Sequence, residues 1–329
     1  MPLLGGYWSG RNYDGNDGRD GASFAPRSAA VPRLSPERRP APLFPECANL
    51  ACAGGRLRLW RNRRTPVIEG GWVCSPACAL DRMRAAVRRE FQGHAGITSH
   101  THRVPLGLML LRQGWIDHAQ LKRALHAQRE GDPQRIGEWL MQHCGLSEQH
   151  VTQALSLQWN CPVFSGEPDP RLFENSPIPR ILLEAFGVIP LRFSTSGALY
   201  LAGEDRVDHV LSLAVERMTG QTVEAGLLSG SDFCRQRERM LVANFSRIRL
   251  MEAASADALA AALAGLVEKL QPVECRLVRV HQFLWLKMWR PASHGPSHAP
   301  VAGIRSSNLL RRSASEDVVC SLVPFAAAS

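Results

Sequence analysis

Four of the nine cysteines stand in two close pairs, Cys47 with Cys52 and Cys74 with Cys78. Zinc takes four ligands in a tetrahedron, and two short cysteine pairs on separate turns supply that set. Thiolate at all four positions leaves no place for a water, so the chemistry expected is structural: a Zn2+ ion stapling a module too small to hold itself together with a core. Four unrelated thiols are the alternative reading. Cys161, Cys234, Cys275 and Cys320 are scattered and are expected to be inert. No catalytic set emerges. The chain has no Gly-Lys pair, hence no phosphate-binding loop of the Walker type, and neither His-Glu-x-x-His nor Gly-x-Ser-x-Gly. It is expected not to be an enzyme.

The elements that must carry the cysteines are legible. In Trp72-Val73-Cys74-Ser75-Pro76-Ala77-Cys78 an apolar strand end runs into a Ser-Pro helix start. Proline suits the first helical turn, because its missing N–H would be unpaired there anyway. Helical spacing follows from Ala79 to Phe91, and Gly54-Gly55 and Gly70-Gly71 supply turns. Knuckle, hairpin and then a knuckle at a helix start resembles a treble-clef zinc finger. Arg56, Arg58, Arg61, Arg63 and Arg64 surround Trp60 between the knuckles, a pattern open to nucleic acid. Over 43–92, however, nine arginines face four acids, and a zinc ion with four thiolates lowers the surplus to about +3. A protein or acidic docking partner is favoured over nucleic acid. His94, His100 and His102 read as a solvated linker before they read as metal ligands.

The whole chain of 329 residues carries a net charge of +9, and Lys122, Lys269 and Lys287 are its only lysines. Arginine presents a planar fork suited to phosphate or guanine edges, so the balance points to an anionic partner as readily as to an ordinary basic surface. No apolar run reaches the roughly 18 residues that span a bilayer; the stretch Ala253 to Leu270 is broken by Asp257 and Glu268. No signal peptide is visible either. The expected location is the cytoplasm, where clustered cysteines stay reduced.

The strongest signal is an internal repeat. Pro105-Leu106-Gly107-Leu108-Met109-Leu110-Leu111-Arg112-Gln113-Gly114-Trp115-Ile116 aligns without gaps, at an offset of 30, on Arg135-Ile136-Gly137-Glu138-Trp139-Leu140-Met141-Gln142-His143-Cys144-Gly145-Leu146. The match continues as Leu121 with Val151, Ala124 with Ala154, Leu125 with Leu155 and Gln128 with Gln158. Repeated sequence means a repeated supersecondary unit. Each unit reads as helix, tight turn, helix: Gly114 ends the first helix, and Asp117 caps the second with Gln120 completing a capping box. Ser147 is the equivalent cap, with His150 in the third position.

These two motifs resemble the MshEN-type cyclic di-GMP-binding N-terminal domain of type II secretion and type IV pilus assembly ATPases. The resemblance covers about residues 103–235 and includes Pro177-Ile178-Pro179-Arg180 leading into Gly187-Val188-Ile189-Pro190-Leu191. It implies a ligand, cyclic di-GMP, whose two-fold symmetric dianion meets matching halves of the repeat. It implies Leu106, Gly107, Leu110, Leu111, Gly114 and Gln128 from the first copy as ligand-binding residues. The second copy gives Arg135, Ile136, Gly137, Leu140, Met141 and Gln158. The glycines would let the ligand approach the backbone closely. Two departures stand out: Pro105 replaces the first arginine, and Cys144 replaces the second turn glycine. A helical repeat kept for packing or docking alone is the competing reading.

The remainder alternates. Phe193 to Leu201 reads as strand, turn, strand; Val207 to Met218 as a helix stopped by Gly220; Val223 to Leu227 as a strand; Ser231-Asp232-Phe233 as a helix start. Leu259, Leu263, Leu266 and Leu270 mark a core stripe. Beyond Pro272, Val278, Val280, Leu284, Leu286 and Met288 share one parity, as in a strand. Trp285 and Trp289 would lie opposite with Arg279 and Lys287, as buried aromatics or as a stacking platform for bases. The expected fold class is α+β. Its expected divisions are a disordered tail at 1–42, the zinc module at 43–92, a linker at 93–102, the helical tandem repeat at 103–160, a small α/β subdomain at 161–245, a helix with an aromatic strand or hairpin at 246–290, and a disordered tail at 291–329. The function expected is a regulatory adaptor that senses cyclic di-GMP and docks on a protein of secretion, pilus or signalling machinery. The alternatives are a ligand-free interaction scaffold and a zinc-dependent nucleic-acid-binding protein.

Overall fold

The computed structural model describes residues 47–52, 66–92, 104–131, 134–174, 176–290 and 315–321. The tail 1–42, Gly54-Gly55, the arginines around Trp60 and the three linker histidines lie outside the described residues. The described chain is α+β, and three clusters of buried side chains organise it.

A six-stranded sheet runs in the order β2-β1-β7-β8-β9-β6. Its strands are β1 (Val67–Ile68), β2 (Gly71–Trp72), β6 (Ile248–Met251), β7 (Glu274–Val280), β8 (Phe283–Trp289) and β9 (Ser315–Ser321). One face carries Cys275, Leu277, Leu284, Leu286, Met288, Val318 and Cys320. Against it pack α1 (Pro76–Gln92), through Met83, Ala86 and Val87, and α10 (Ala256–Leu270), through Leu259, Leu263, Leu266 and Val267. The opposite face carries Val278, Val280, Trp285 and Val319, which join the core of a second, three-stranded sheet in the order β3-β4-β5. Those strands are β3 (Val188–Phe193), β4 (Leu199–Gly203) and β5 (Val223–Leu227); α7 (Arg180–Phe186), α8 (His209–Thr219) and α9 (Gly230–Val242) complete that core, and the short α6 (Arg171–Glu174) adds Leu172 and Phe173. The left-handed Gly220, φ +70°, closes α8 as a C-cap.

Three sequence expectations are corrected here. First, segments 43–92 and 246–290 are not separate modules. β1 pairs in parallel with β7, Val67 opposite Glu274 and Ile68 opposite Cys275, and α1 and α10 share one sheet face. A hairpin of two-residue strands has too little apolar area to cover the stripe of α1, so the stripe is buried on the distant sheet. Second, residues 315–321 of the expected disordered tail are a strand. β9 lies between β8 and β6, antiparallel to the first and parallel to the second. Its period-2 pattern turns Val318 and Cys320 to one face and Asp317 and Val319 to the other. Third, the parity assumed across 278–288 breaks at the turn. His281 takes φ +50° and Val280 pairs with Phe283, so Val278 shares its face with Trp285 and not with Leu286.

Trp285 is fully buried, which leaves no stacking platform at that residue. Its Nε1–H donates to Asp317 Oδ1 at 2.8 Å, and Lys287 Nζ donates to both Asp317 carboxylate oxygens at 3.1 Å. Lys287 also reaches the carbonyl of Pro177 at 3.4 Å, tying the sheet to the loop before α7.

β1 stops at Ile68, and two acids take over its ladder along β7. Leu277 N donates to the Glu69 carboxylate, and Arg279 N donates to Glu90 Oε2 at 3.0 Å. Arg89 and Arg217 then bridge the two acids, at 3.0 and 2.8 Å from Glu69 and 2.8 and 3.1 Å from Glu90. Burial pushes the Glu90 carboxyl up, but the Arg89 hydrogen bond, the Arg279 amide and the Arg217 charge outweigh it and hold it below the ordinary range. A carboxyl depressed in the folded state stabilises above its unfolded pKa and loses that contribution as pH falls through the folded value. Both arginines are nearly half exposed, so solvent screening limits the gain. Glu90→Gln should cost about 2 kcal/mol at neutral pH in urea melts, and the gap from the parent chain should narrow as pH falls below the carboxylate range.

Candidate functional site

The repeat folds as two helix pairs. The first is α2 (Leu106–Arg112) with α3 (His118–Arg129); the second is α4 (Ile136–Cys144) with α5 (Glu148–Trp159). Asp117 Oδ1 accepts from Gln120 N at 2.7 Å and Gln120 Oε1 accepts from Asp117 N at 2.8 Å, which is the capping box expected from the sequence. Ser147 Oγ accepts from His150 N at 3.3 Å. The pairs interlock: α2 packs on α5, α3 packs on α4, and α2 touches α4.

The junction is two-fold in character. A methyl added to Gly107 would come 2.5 Å from Leu121 and 3.4 Å from Ile136, while one added to Gly137 would come 3.0 Å from Val151 and 3.6 Å from Leu106. These four neighbours are related by the same offset of 30. Gln128 Nε2 donates to the carbonyl of Gln134 at 3.4 Å, and Gln158 Nε2 donates to the carbonyl of Val104 at 2.7 Å. Each glutamine thus holds the chain entering the other unit's first helix. The glycines are needed because helices pass closely there; protein side chains fill the space beside their Cα atoms.

The expected ligand-facing residues divide in consequence. Leu110 and Leu140 are both 0% exposed and form the centre of the repeat's own core. Leu110 faces inward because a two-residue shift along a helix turns a side chain by more than half a circle from Leu108, which is exposed, and Leu140 is its counterpart in the second copy. Gly107 and Gly137 are buried at the junction. Leu106, Leu111, Ile136, Met141 and Gln158 are half-buried, and Gly114, Gln128 and Arg135 are exposed. Of the expected ligand residues, Leu106 and Ile136 thus lie half-buried beside the junction glycines, while Leu111, Met141 and Arg135 keep part or most of their exposure.

The two departures from the motif have different consequences. Pro105 and Arg135 occupy the same N-cap geometry, φ/ψ −57°/144° and −67°/144°, so proline keeps the backbone path and removes a guanidinium together with an amide N–H, which at Arg135 donates to Glu138 at 3.3 Å. Cys144 leaves no gap in the turn: α4 extends through it, and Gly145 takes the left-handed position, φ +67°, that Gly114 takes in the first copy at +72°. Arg135 is largely exposed, with Glu204 Oε1 3.9 Å from its guanidinium. The second copy is also anchored to the α/β subdomain. Glu148 accepts from the amide and the hydroxyl of Ser231 at 2.6 Å each. No motif in the sequence signals that contact.

The four cysteines come together. One ligand atom from each of Cys47, Cys52, Cys74 and Cys78 lies within 4.8 Å of the others, with Sγ–Sγ distances of 3.5 Å for Cys52–Cys74 and 3.7 Å for Cys74–Cys78. Sulfurs about 2.3 Å from a tetrahedral centre stand about 3.8 Å apart, so the set fits a zinc-sized cation. Cys74 follows β2, Cys78 lies in the first turn of α1, and its amide donates to Ser75 Oγ at 3.3 Å. The knuckle at 47–52 is held by Ala48 N donating to Trp72 O at 2.7 Å and by Asn49 Nδ2 donating to Asp81 at 3.0 Å. A methyl at Gly71 would come 2.4 Å from the Ala48 Cβ, so only glycine lets knuckle and hairpin approach this closely. Burial pushes the Cys74 thiol up to about 12. Burial opposes ionisation at Cys78 too, but hydrogen bonds from Ser75 and Asn49 bring it down to about 7. A central cation is what allows four such neighbours to ionise together.

No protein-family model matches the sequence, and no curated protein matches it at a significant level. Solved structures do. The chain is similar to MshE solved with cdg, at 22% identity and a TM-score of 0.35, over 42% of this chain and 99% of that one. It is also similar to the N-terminal domain of XpsE in two crystal forms. One shows 20% identity and a TM-score of 0.30 over 41% of this chain and 92% of that one; the other shows 24% and 0.24 over 40% and 90%.

Proposed function

We propose that this chain is a non-catalytic cytoplasmic adaptor: its helical repeat senses cyclic di-GMP, its cysteine cluster holds a structural Zn2+, and its surface docks on a protein partner of secretion, pilus or signalling machinery. The observation that carries the reading is the interlocked junction of α2 and α4. Two near-copies place Leu106 and Ile136 symmetrically about one line, a surface matched to a ligand with two equal halves. Arg135 supplies one cationic fork for a phosphate. Pro105, at the equivalent position of the first half, supplies none, so the expected affinity is weaker than a doubly armed site by about one to two decades. Among the described residues no helix is long and apolar enough to cross a membrane.

Calorimetric titration of the full chain with cyclic di-GMP should give saturable binding that Arg135→Ala removes. A flat titration at high micromolar nucleotide rejects the sensor and leaves the second reading. That reading, a ligand-free scaffold, draws on the full burial of Leu110 and Leu140 and on the filled space beside Gly107 and Gly137. All four are then accounted for by packing.

A further inference from the structure

The two copies of the repeat agree at one set of helix positions and part at another. Leu121, Ala124, Leu125 and Gln128 of α3 match Val151, Ala154, Leu155 and Gln158 of α5, whereas His118, Lys122, His126 and Arg129 stand where α5 has Glu148, Thr152, Ser156 and Trp159. On α5 this second set is used within the chain. Glu148 holds Ser231, Thr152 is buried, Ser156 Oγ donates to the carbonyl of Cys161 at 2.6 Å, and the Arg206 guanidinium lies 5.3 Å from the centre of the Trp159 ring. It is the seam by which the repeat meets the α/β subdomain.

On α3 the same positions are exposed. His118, Lys122, His126 and Arg129 follow one another at helical spacing, a stripe about 17 Å long at 1.5 Å per residue, and all four are exposed. Leu125 lies among them, one turn from both Lys122 and Arg129, and is 40% exposed. Arg123 adds a further cation beside the stripe, and α3 contains no acid. The one acid beside the stripe among the described ion pairs is Glu130, 3.2 Å from His126, where both side chains are 68% exposed. A seam that one copy fills internally is left open in the other, with Lys122 and Arg129 in place of a hydroxyl and the indole, and imidazoles in place of the carboxylate and a second hydroxyl.

We propose that the outer face of α3 is a protein-docking surface, and that it takes an acidic partner face: a row of carboxylates around an apolar socket that receives Leu125. Charge complementarity selects the sign of the partner. The exposed leucine selects the class. A phosphate backbone offers nothing to an apolar side chain, and the stripe carries no Phe, Tyr or Trp ring on which a base would stack. The proposal rests on the adaptor reading only in requiring a partner; it does not require the nucleotide.

The test is photo-crosslinking of the full chain carrying Leu125→p-benzoylphenylalanine, made in its own cells without added cyclic di-GMP. The expected product is an adduct to one protein, at a segment where Asp and Glu outnumber Lys and Arg. Its yield should fall at least about tenfold when Lys122→Glu and Arg129→Glu are added, as for loss of a charge-steered contact, while the thermal melt stays unchanged. An adduct to nucleic acid or lipid, a protein adduct indifferent to the charge reversal, or no adduct at all overturns the proposal. A flat nucleotide titration leaves this result standing, and a missing adduct leaves the titration standing.

Discussion

If the cluster holds structural zinc as proposed, Cys74→Ser is expected to abolish metal binding and remove at least about 4 kcal/mol of folding stability in one step, because structural zinc in small modules contributes about 10–16 kcal/mol of apparent binding energy. The loss should not stay local. Cys74 and Cys78 flank the start of α1, and α1 shares a core with α10 and with one face of the six-stranded sheet. β1, the strand of the same hairpin, pairs with β7 over two residues only, and Glu69 at its end holds the Leu277 amide. Releasing the knuckle therefore frees a sheet edge, two acids that guard it and the N-terminus of a covering helix. Elemental analysis of the purified chain should give one zinc per protein, and a strong chelator should lower the melting temperature to that of the variant. Full stability in the metal-free chain would show that the four thiols are packed and not ligating.

Asp317→Ala is expected to destabilise the chain by about 3–5 kcal/mol, since it strands a buried ammonium. Lys287 and Asp317 are 5% and 7% exposed, and Asp317 also accepts the indole proton of Trp285. Removing the carboxylate leaves the indole without its acceptor and the ammonium with only the Pro177 carbonyl at 3.4 Å. Replacing the pair together, Lys287→Met with Asp317→Leu, should recover most of the loss, because an ion pair in a dry interior contributes little beyond an apolar pair of similar size. Hydrogen exchange provides a second readout. β9 bridges β8 and β6, so the single variant should raise exchange at Ile248–Met251 as well as along β9 itself.

How far the sequence reveals this molecule depends on the range of each interaction. The repeat is legible because its physics is local: Asp117 and Gln120 are three residues apart, and the offset of 30 carries both helix pairs in register. The four cysteines are legible for a chemical reason, since a metal needs that donor set wherever the chain brings it. What escapes is non-local. Val67 pairs with Glu274 across most of the chain, and no pattern in a two-residue strand announces its partner. β9 is missed because seven residues, four of them Ser, Glu or Asp, stand in a Ser-, Pro- and Arg-rich context that outweighs a short alternation. Glu90 did leave a trace. It continues the stripe Met83, Ala86, Val87 at helical spacing, and a charge within an apolar stripe marks a buried partner, here Arg279 N and two guanidinium groups. The inward turn of Leu110 is contained in the helical period, whereas the cross-pairing of helices between units, which buries Gly107 and Gly137, is not contained in a motif read as a linear string.

The most direct test of the repeat as a nucleotide sensor is a methyl NMR titration of the full chain, labelled at isoleucine δ1 carbons, with cyclic di-GMP. Ile136 is the isoleucine at the junction of α2 and α4, whereas Ile68, Ile178 and Ile189 are buried in the other two cores. The account predicts a saturating shift at Ile136 with those three unmoved, and no shift in Arg135→Ala. Stationary Ile136 at millimolar nucleotide, or equal movement at every methyl, contradicts it.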